Sequence, residues 1–345
     1  MELDFQAIEY LKNPDQMLLK GDFQQFLLSL DVPTIIDISG KNVDKTRVIT
    51  TLLHGNEPSG FIAMHRWLTG DSLIHKPETN LRFIIVSIEA ATSTPLLSTR
   101  YLANGIDINR CFGSSLNHGY YQRANLIEQA IKAVSPEVVI DIHNTPSDCP
   151  SFAVTPLVSN EGLTASSFFS DTLVLSGISR GALMEQNFGC PVITIECGGS
   201  QDEQAHAVAF QGISELASCS NLSNYHQKNN VKIFYKPLCL MVNTDVDLHF
   251  SQHDEGYSGV TFINKIEQLN YGGVKEGQLL GWLDEHGLDN LMLINDVGDN
   301  VIDKYFAVRD NRLVSLSCFK VFMATNNVNI AKNDCLFYMV NMPNS

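Results

Sequence analysis

Between residues 34 and 195, short runs rich in Ile, Val and Leu alternate with stretches whose apolar positions recur every three or four residues. The runs fall at 34–39, 47–53, 81–88, 138–142 and 190–195. Their β-branched content and flanking turn formers predict strands. Helical periodicity marks 60–68, 123–133 and 201–218, and also an earlier stretch at 14–30. Strands that alternate with helices predict an α/β sheet covered on both faces. From about residue 221 the texture changes to short strand-like runs, at 256–263, 277–283 and 310–316, separated by Gly, Asn and Asp turns. The expectation is therefore an α/β domain over 1–222 followed by a smaller all-β domain over 223–345. Within the latter, 273–280 and 327–336 share a loose pattern of Val, charged turn and apolar run. Internal duplication and a coincidence of turns explain it equally well.

Composition narrows the picture only in part. The chain has 345 residues, 44% hydrophobic and 18% charged, which excludes a disordered or fibrous protein. A formal charge of -15 argues against nucleic acid as a partner, because phosphate contacts need clustered Lys and Arg. An anionic substrate would need local cations, so individual arginines matter. No basic segment leads into an apolar one at the N-terminus, and no apolar run is long enough to span a bilayer, so a cytoplasmic protein without a membrane partner is expected. The 8 cysteines form no C-x-x-C pair and read as free thiols. Self-association into a homo-oligomer stays open.

Three of the predicted strands run into residues able to bind metal or move a proton: His54, His143 and Glu196. Open α/β sheets gather ligands where the carboxyl ends of strands converge, so the three predict one site. His54, Glu57 and His143 make up the two-histidine, one-carboxylate set common in catalytic zinc centres. A turn containing Asn56, Pro58, Ser59 and Gly60 would let two residues three positions apart meet one ion. The spacing differs from His-Glu-x-x-His, where the glutamate is the base. With Glu57 used as a ligand, Glu196 is the candidate general base, and a helix cap is its plainer alternative. Arg100, Asn109 and Arg110 lie close together on a Gly-containing connection and suit an anion clamp, although a loop arginine by itself is commonly a solvated charge.

Taken in order, His54-Gly-Asn-Glu57 with Gly60, Arg100, Asp107-x-Asn109-Arg110-x-Phe112, Asp141-Ile-His143-Asn-Thr145 and Ile195-Glu196 resemble the succinylglutamate desuccinylase and aspartoacylase family, a branch of the zinc carboxypeptidase-like hydrolases. The resemblance covers about residues 45 to 200. It implies a zinc carboxypeptidase-like mixed sheet flanked by helices, with an added C-terminal β-domain. It also implies one zinc ion per chain on His54, Glu57 and His143, with Glu196 as base and proton shuttle and Arg100 stabilising the oxyanion. Asn109 and Arg110 would grip a substrate carboxylate, and Arg180 lies in the segment where the family places acyl specificity. Asp107 and Asp141 would support the loop and the histidine beside them. The implied reaction is hydrolysis of the amide of a small N-acylated amino acid. The competing reading is a metallocarboxypeptidase acting on short peptides. Departures at Ala90-Ala-Thr92 and Cys197-Gly-Gly199 leave the substrate open.

Other conspicuous residues read as structural. His65 belongs on a helix beside Met64 and Trp67, while His249 and His253 lack further ligands for a second metal. Tyr257 and Tyr271 are expected to pack a β-surface.

Overall fold

The computed structural model describes residues 3–15, 17–70, 76–223, 231–270, 272–333 and 335–341. The chain divides into two compact units, one of Met1–Asn144, Ser151–Leu173 and Ser179–Ile233, the other of Thr145–Pro150, Val174–Ile178 and Phe234–Ser345.

In the first unit the elements run β1 (Glu9–Lys12), α1 (Phe23–Leu28), β2 (Thr34–Ile38), β3 (Asn42–Thr51), α2 (Ser59–Thr69), β4 (Thr79–Ile85), α3 (Ile88–Ala91) and α4 (Gly119–Lys132). They continue through β5 (Val138–Thr145), β6 (Phe152–Thr155), α5 (Asn160–Ser167), β7 (Thr172–Leu175), β8 (Val192–Gly199), α6 (Glu203–Ser218) and β9 (Lys232–Tyr235), of which Thr145, Val174, Leu175, Phe234 and Tyr235 are counted with the second unit. The sheet is mixed, in the order β1-β2-β4-β3-β5-β8-β6-β7-β9. Strand β3 is parallel to both β4 and β5, while β2 and β4, and β6 and β8, pair antiparallel.

Alternation along the central strands separates two cores. Ile36, Ile49, Phe83, Ile140 and Ile193 pack on one side with Phe61, Trp67 and Ile213 from α2 and α6. Ile35, Val48, Ile84, Val139 and Val192 pack on the other with Ala124, Ile127 and Ile131 from α4. Helix α6 starts where the Asp202 side chain accepts from the Gln204 N–H, with Glu203 in its first turn.

Two predicted elements come out shorter than their periodicity suggests. Among the described residues of the helical stretch at 14–30 only α1 is helical, because Gly21 takes a left-handed φ of 99° and Asp22 starts a new cap on the Gln25 N–H. The strand at 81–88 stops at Ile85, and Ile88 already opens α3. His65 is a buried helix residue, stacked on Phe26 and within hydrogen-bond distance of the Leu19 carbonyl.

The second unit holds two five-stranded sheets. Its elements are β10 (Leu238–Val242), β11 (Leu248–Ser251), β12 (Val260–Ile263), β13 (Gly273–Val274), β14 (Leu279–Leu283), β15 (Leu291–Ile294), β16 (Phe306–Arg309), β17 (Arg312–Ser315), β18 (Phe319–Phe322), α7 (Val328–Asn333) and β19 (Phe337–Asn341). One sheet runs β13-β18-β19-β10-β15 and the other β11-β12-β14-β17-β16. Leu240, Phe262, Leu280, Phe306, Phe319 and Phe337 share one core. The β16–β17 hairpin turns at Asp310 and Asn311, both at positive φ, as a two-residue connection requires. The similar segments at 273–280 and 327–336 fold differently, since the first forms β13 and enters β14 while the second forms α7. Tyr257 lies against the His249 ring at 4.4 Å, and Tyr271 lies outside the described residues. No helix among the described residues is long and apolar enough to cross a membrane.

Candidate active site

All of the site residues read from the sequence fall in the first unit. Strand parity explains how distant positions meet. Thr50 on β3, Asp141 and His143 on β5, and Glu196 on β8 have the parity of Val48, Val139 and Val192, so they look to the face covered by α4 and the 108–112 segment. His143 and Glu196 lie inside their strands, which continue to Thr145 and Gly199. Only His54 follows a strand end, and Leu52, two residues before it, sits at a φ of 53° while fully buried. That left-handed residue turns the chain out of β3. Gly55 is required next, because a Cβ there would lie 2.5 Å from Ala91 N and 2.7 Å from Thr99 O.

His54, Glu57 and His143 are buried and offer ligand atoms all within 4.8 Å of one another. Each imidazole presents Nδ1 to Glu57 and Nε2 to an aspartate. His54 Nε2 is 2.9 Å from Asp107 Oδ1, and His143 Nε2 is 2.7 Å from Asp141 Oδ2. On the other side, His143 Nδ1 is 2.7 Å from Glu57 Oε2. His54 Nδ1 is 2.9 Å from Glu57 Oε1 without an aligned hydrogen bond. Asp141 is held in turn by Thr50 Oγ1 at 2.5 Å. Aspartates that accept the Nε2 proton leave the Nδ1 lone pairs pointing at the Glu57 carboxylate. Acceptors that converge in this way repel unless a cation lies among them. His143 shows the same demand for positive charge. Burial alone would lower its pKa, but the Asp141 and Glu57 carboxylates raise it well above the ordinary value. Glu57 is opposed by burial too, yet the two histidines hold it well below the usual carboxylate range. The donor set fits a divalent metal ion.

Glu196 is buried, and its Oε2 has no hydrogen-bond partner. Desolvation is the main reason its pKa is pushed up to about 7, with His143 opposing and Glu57 assisting. Arg100 donates to Glu57 Oε1 at 2.8 Å and to Asp107 Oδ2 at 3.2 Å. Asp107 is kept far below the carboxylate range against its own desolvation by His54, Arg100 and Arg110. It also caps the 3-10 turn at Ile108–Arg110 by accepting from Asn109 N–H at 2.8 Å.

Asn109 is partly committed, because its Oδ1 accepts from Leu183 N–H at 2.9 Å. Phe112 N–H donates to Gly181 O at 3.0 Å, and a Cβ on Gly181 would meet Arg110 O at 2.7 Å. Glu185 accepts from the Arg180 and Gly181 N–H groups at 2.7 and 2.9 Å. The loops that carry Arg110 and Arg180 are thus stitched together, although 70 residues of chain separate them. Thr50, Ser59, Asn144 and His206 were not singled out by the sequence. A usable signal existed for Asn144, which belongs to the Asp141-Ile-His143-Asn-Thr145 motif.

The succinylglutamate desuccinylase/aspartoacylase catalytic domain family matches residues 44–215, a span that contains every residue of this site. This chain belongs to the succinylglutamate desuccinylase/aspartoacylase family. Solved structures bear out the fold of the family. The succinylglutamate desuccinylase/aspartoacylase from Rhodobacter sphaeroides aligns with a TM-score of 0.58 at 15% identity, covering 90% of this chain and 88% of that one. Succinylglutamate desuccinylase from Vibrio cholerae gives 0.56 at 15% identity, over 93% and 99% of the two chains. Murine aminoacylase 3 gives 0.54 at 14% identity, over 88% and 96%. No curated protein sequence matches the chain. Membership makes this a hydrolase of a deacylating family with a His–Glu–His group able to hold metal.

Proposed function

We propose that this member of the family is a zinc-dependent amidohydrolase that cleaves the acyl amide of a small N-acylated amino acid. The observation that carries the reading is a buried glutamate with an unpartnered Oε2, in the same site as a convergent His–Glu–His group. His54, Glu57 and His143 would hold the ion, and borderline-soft zinc suits two imidazoles and a carboxylate. Bound there, it would supply a Lewis acid that polarises the scissile carbonyl and eases deprotonation of the attacking water. Glu196 accepts that proton, and its raised pKa lets it hand the proton on to the departing amine. Arg100, which donates to the Glu57 and Asp107 carboxylates, would stabilise the oxyanion as charge develops. Arg110 and the Asn109 Nδ2 group bind the amino-acid carboxylate, and Arg180 on the adjoining loop serves a second anionic group of the substrate.

The test is a hydrolysis screen of N-acetyl and N-succinyl amino acids and of dipeptides with metal-replete protein, scored by release of free amine. Glu196→Gln should keep the metal and lose turnover by at least about 100-fold. Turnover confined to peptides would replace the proposal with a metallocarboxypeptidase. Full activity in Glu196→Gln would remove the glutamate from the mechanism.

A further inference from the structure

Behind the metal-facing side of the sheet, Asn144 makes an unusually complete set of contacts. It follows His143 on β5 and so points the opposite way, toward α2 and α6. Its Oδ1 accepts from Ser59 N–H at 3.0 Å, and its Nδ2 donates to Ser59 Oγ at 2.7 Å and to Gly198 O at 2.8 Å. One accepted and two donated bonds use both amide hydrogens and one lone pair of the oxygen, in buried surroundings. Its main-chain N–H faces forward, 3.3 Å from Glu57 Oε2. Ser59 lies two residues beyond Glu57, and Gly198 lies two beyond Glu196. A single side chain therefore ties together the backbone segments that carry Glu57, His143 and Glu196.

The orientation of that amide is fixed from outside. Ser59 Oγ accepts from Asn144 and lies 2.8 Å from His206 Nδ1 on α6, and with Nδ1 unprotonated the Ser59 hydroxyl donates to it. His206 then carries its proton on Nε2. Burial favours this neutral form against the pull of Glu203 and Asp202. A flipped Asn144 amide would set Nδ2 against the Ser59 N–H, two donors face to face.

We infer that Asn144, oriented by Ser59 and His206, is a positioning residue that sets the spacing between the His54–Glu57–His143 group and Glu196. The inference rests on the proposed metal-dependent reading of the site. Asn144 touches no substrate. It acts by holding the turn that carries Glu57 and the strands that carry His143 and Glu196 at one level, so that the carboxylate meant to coordinate and the one meant to move a proton keep their separation. Outer contacts of this kind commonly change metal affinity or activity about 10–100-fold when removed.

The experiment compares wild type with Asn144→Asp, His206→Ala and His206→Asn. Zinc affinity is read by competition with a chromophoric chelator, cobalt(II) loading by its visible absorption, and folding by thermal melting. Asn144→Asp turns both amide donors into acceptors and should weaken zinc binding about 10–100-fold and change the cobalt spectrum. Against any substrate found in the screen, kcat should fall more than KM rises. His206→Ala should move zinc affinity and spectrum in the same direction by less, and His206→Asn, which keeps an acceptor near Ser59 Oγ, should restore both. Should Asn144→Asp fail to fold, the two His206 variants decide alone, since His206 is only half-buried. Wild-type zinc affinity and cobalt spectrum in Asn144→Asp, or in His206→Ala where it alone is measurable, would overturn the inference. Equal defects in His206→Ala and His206→Asn would overturn the orienting role. The metal arms need no substrate, so a wild type that binds zinc without turnover refutes the proposed reaction and leaves this inference to be decided by its variants.

Discussion

Replacing Asp141 by Asn asks how His143 is kept in a ligating tautomer. Asp141 is fully buried and accepts at both oxygens, from Thr50 Oγ1 at 2.5 Å and from His143 Nε2 at 2.7 Å. Asn has the same shape, one acceptor and no charge. With its oxygen toward Thr50, its NH2 would meet the Nε2 proton, and His143 would have to carry its proton on Nδ1, the atom aimed at Glu57. With its oxygen toward His143, only the Thr50 hydroxyl loses an acceptor, at about 0.5–1.5 kcal/mol for a neutral hydrogen bond. The second orientation is cheaper, so His143 keeps its tautomer and loses only the carboxylate that raises its basicity. Zinc affinity should therefore fall about 10–100-fold, or about 1.4–2.7 kcal/mol, without being abolished. Thr50→Val added to Asp141→Asn removes the hydroxyl but also the oxygen that accepts from the Asn NH2, so the double variant should lose no further zinc affinity and recover no folding stability. Chelator competition at constant pH, with denaturant melts of the metal-free proteins, measures both. Unchanged zinc affinity in Asp141→Asn refutes the tautomer argument, and so does a double variant that binds far more weakly than the single.

Glu196 gives the metal-free protein a pH signature. Its folded pKa of about 7 lies above its ordinary 4.5, so the stability it contributes is fully present below about 4.5 and lost as pH rises through about 7. His143, also raised, adds a loss in the same direction. Glu57, lowered, adds stability that is lost toward acid. The difference in pH slope between wild type and Glu196→Gln, from denaturant melts across that window, isolates the Glu196 part, and matching slopes would contradict it. Gly55→Ala forces a Cβ against the Ala91 and Thr99 main chain and should cost about 1–3 kcal/mol in the same melts. Phe262→Ala empties a fully buried position in the second unit and should cost about 3–5 kcal/mol, read by urea unfolding followed with a probe in that unit. Zinc at about 100 times its dissociation constant should stabilise the protein by about 2.7 kcal/mol, seen as a thermal shift absent from His54→Ala.

Much of the frame is legible in the sequence. Strands alternating with helices already called for a sheet buried on both faces, and the structure bears this out in the opposite cores that take Ile35 and Ile36, Val48 and Ile49, and Val139 and Ile140, because side chains alternate with period two. The turn after His54 was also legible from Asn56, Pro58, Ser59 and Gly60, whereas the need for glycine at position 55 shows only where the chain passes the 90–99 segment. Helical periodicity at 14–30 misled, because a single left-handed Gly21 outweighs a weak repeat. Strand ends were misplaced at His143 and Glu196, where ladder hydrogen bonds carry the strands further than their apolar runs.

The sequence by itself determined which residues are chemically able to hold a metal and move a proton, together with the order in which an α/β chain presents them. Tertiary structure decided how those residues are charged and aimed. The raised pKa of Glu196 comes from desolvation by surroundings assembled from distant segments. The direction in which His54 and His143 point their lone pairs is set by Asp107 and Asp141, and the level of the whole site by contacts from Asn144. Such properties depend on distances between groups far apart along the chain, and one-dimensional spacing does not encode those distances.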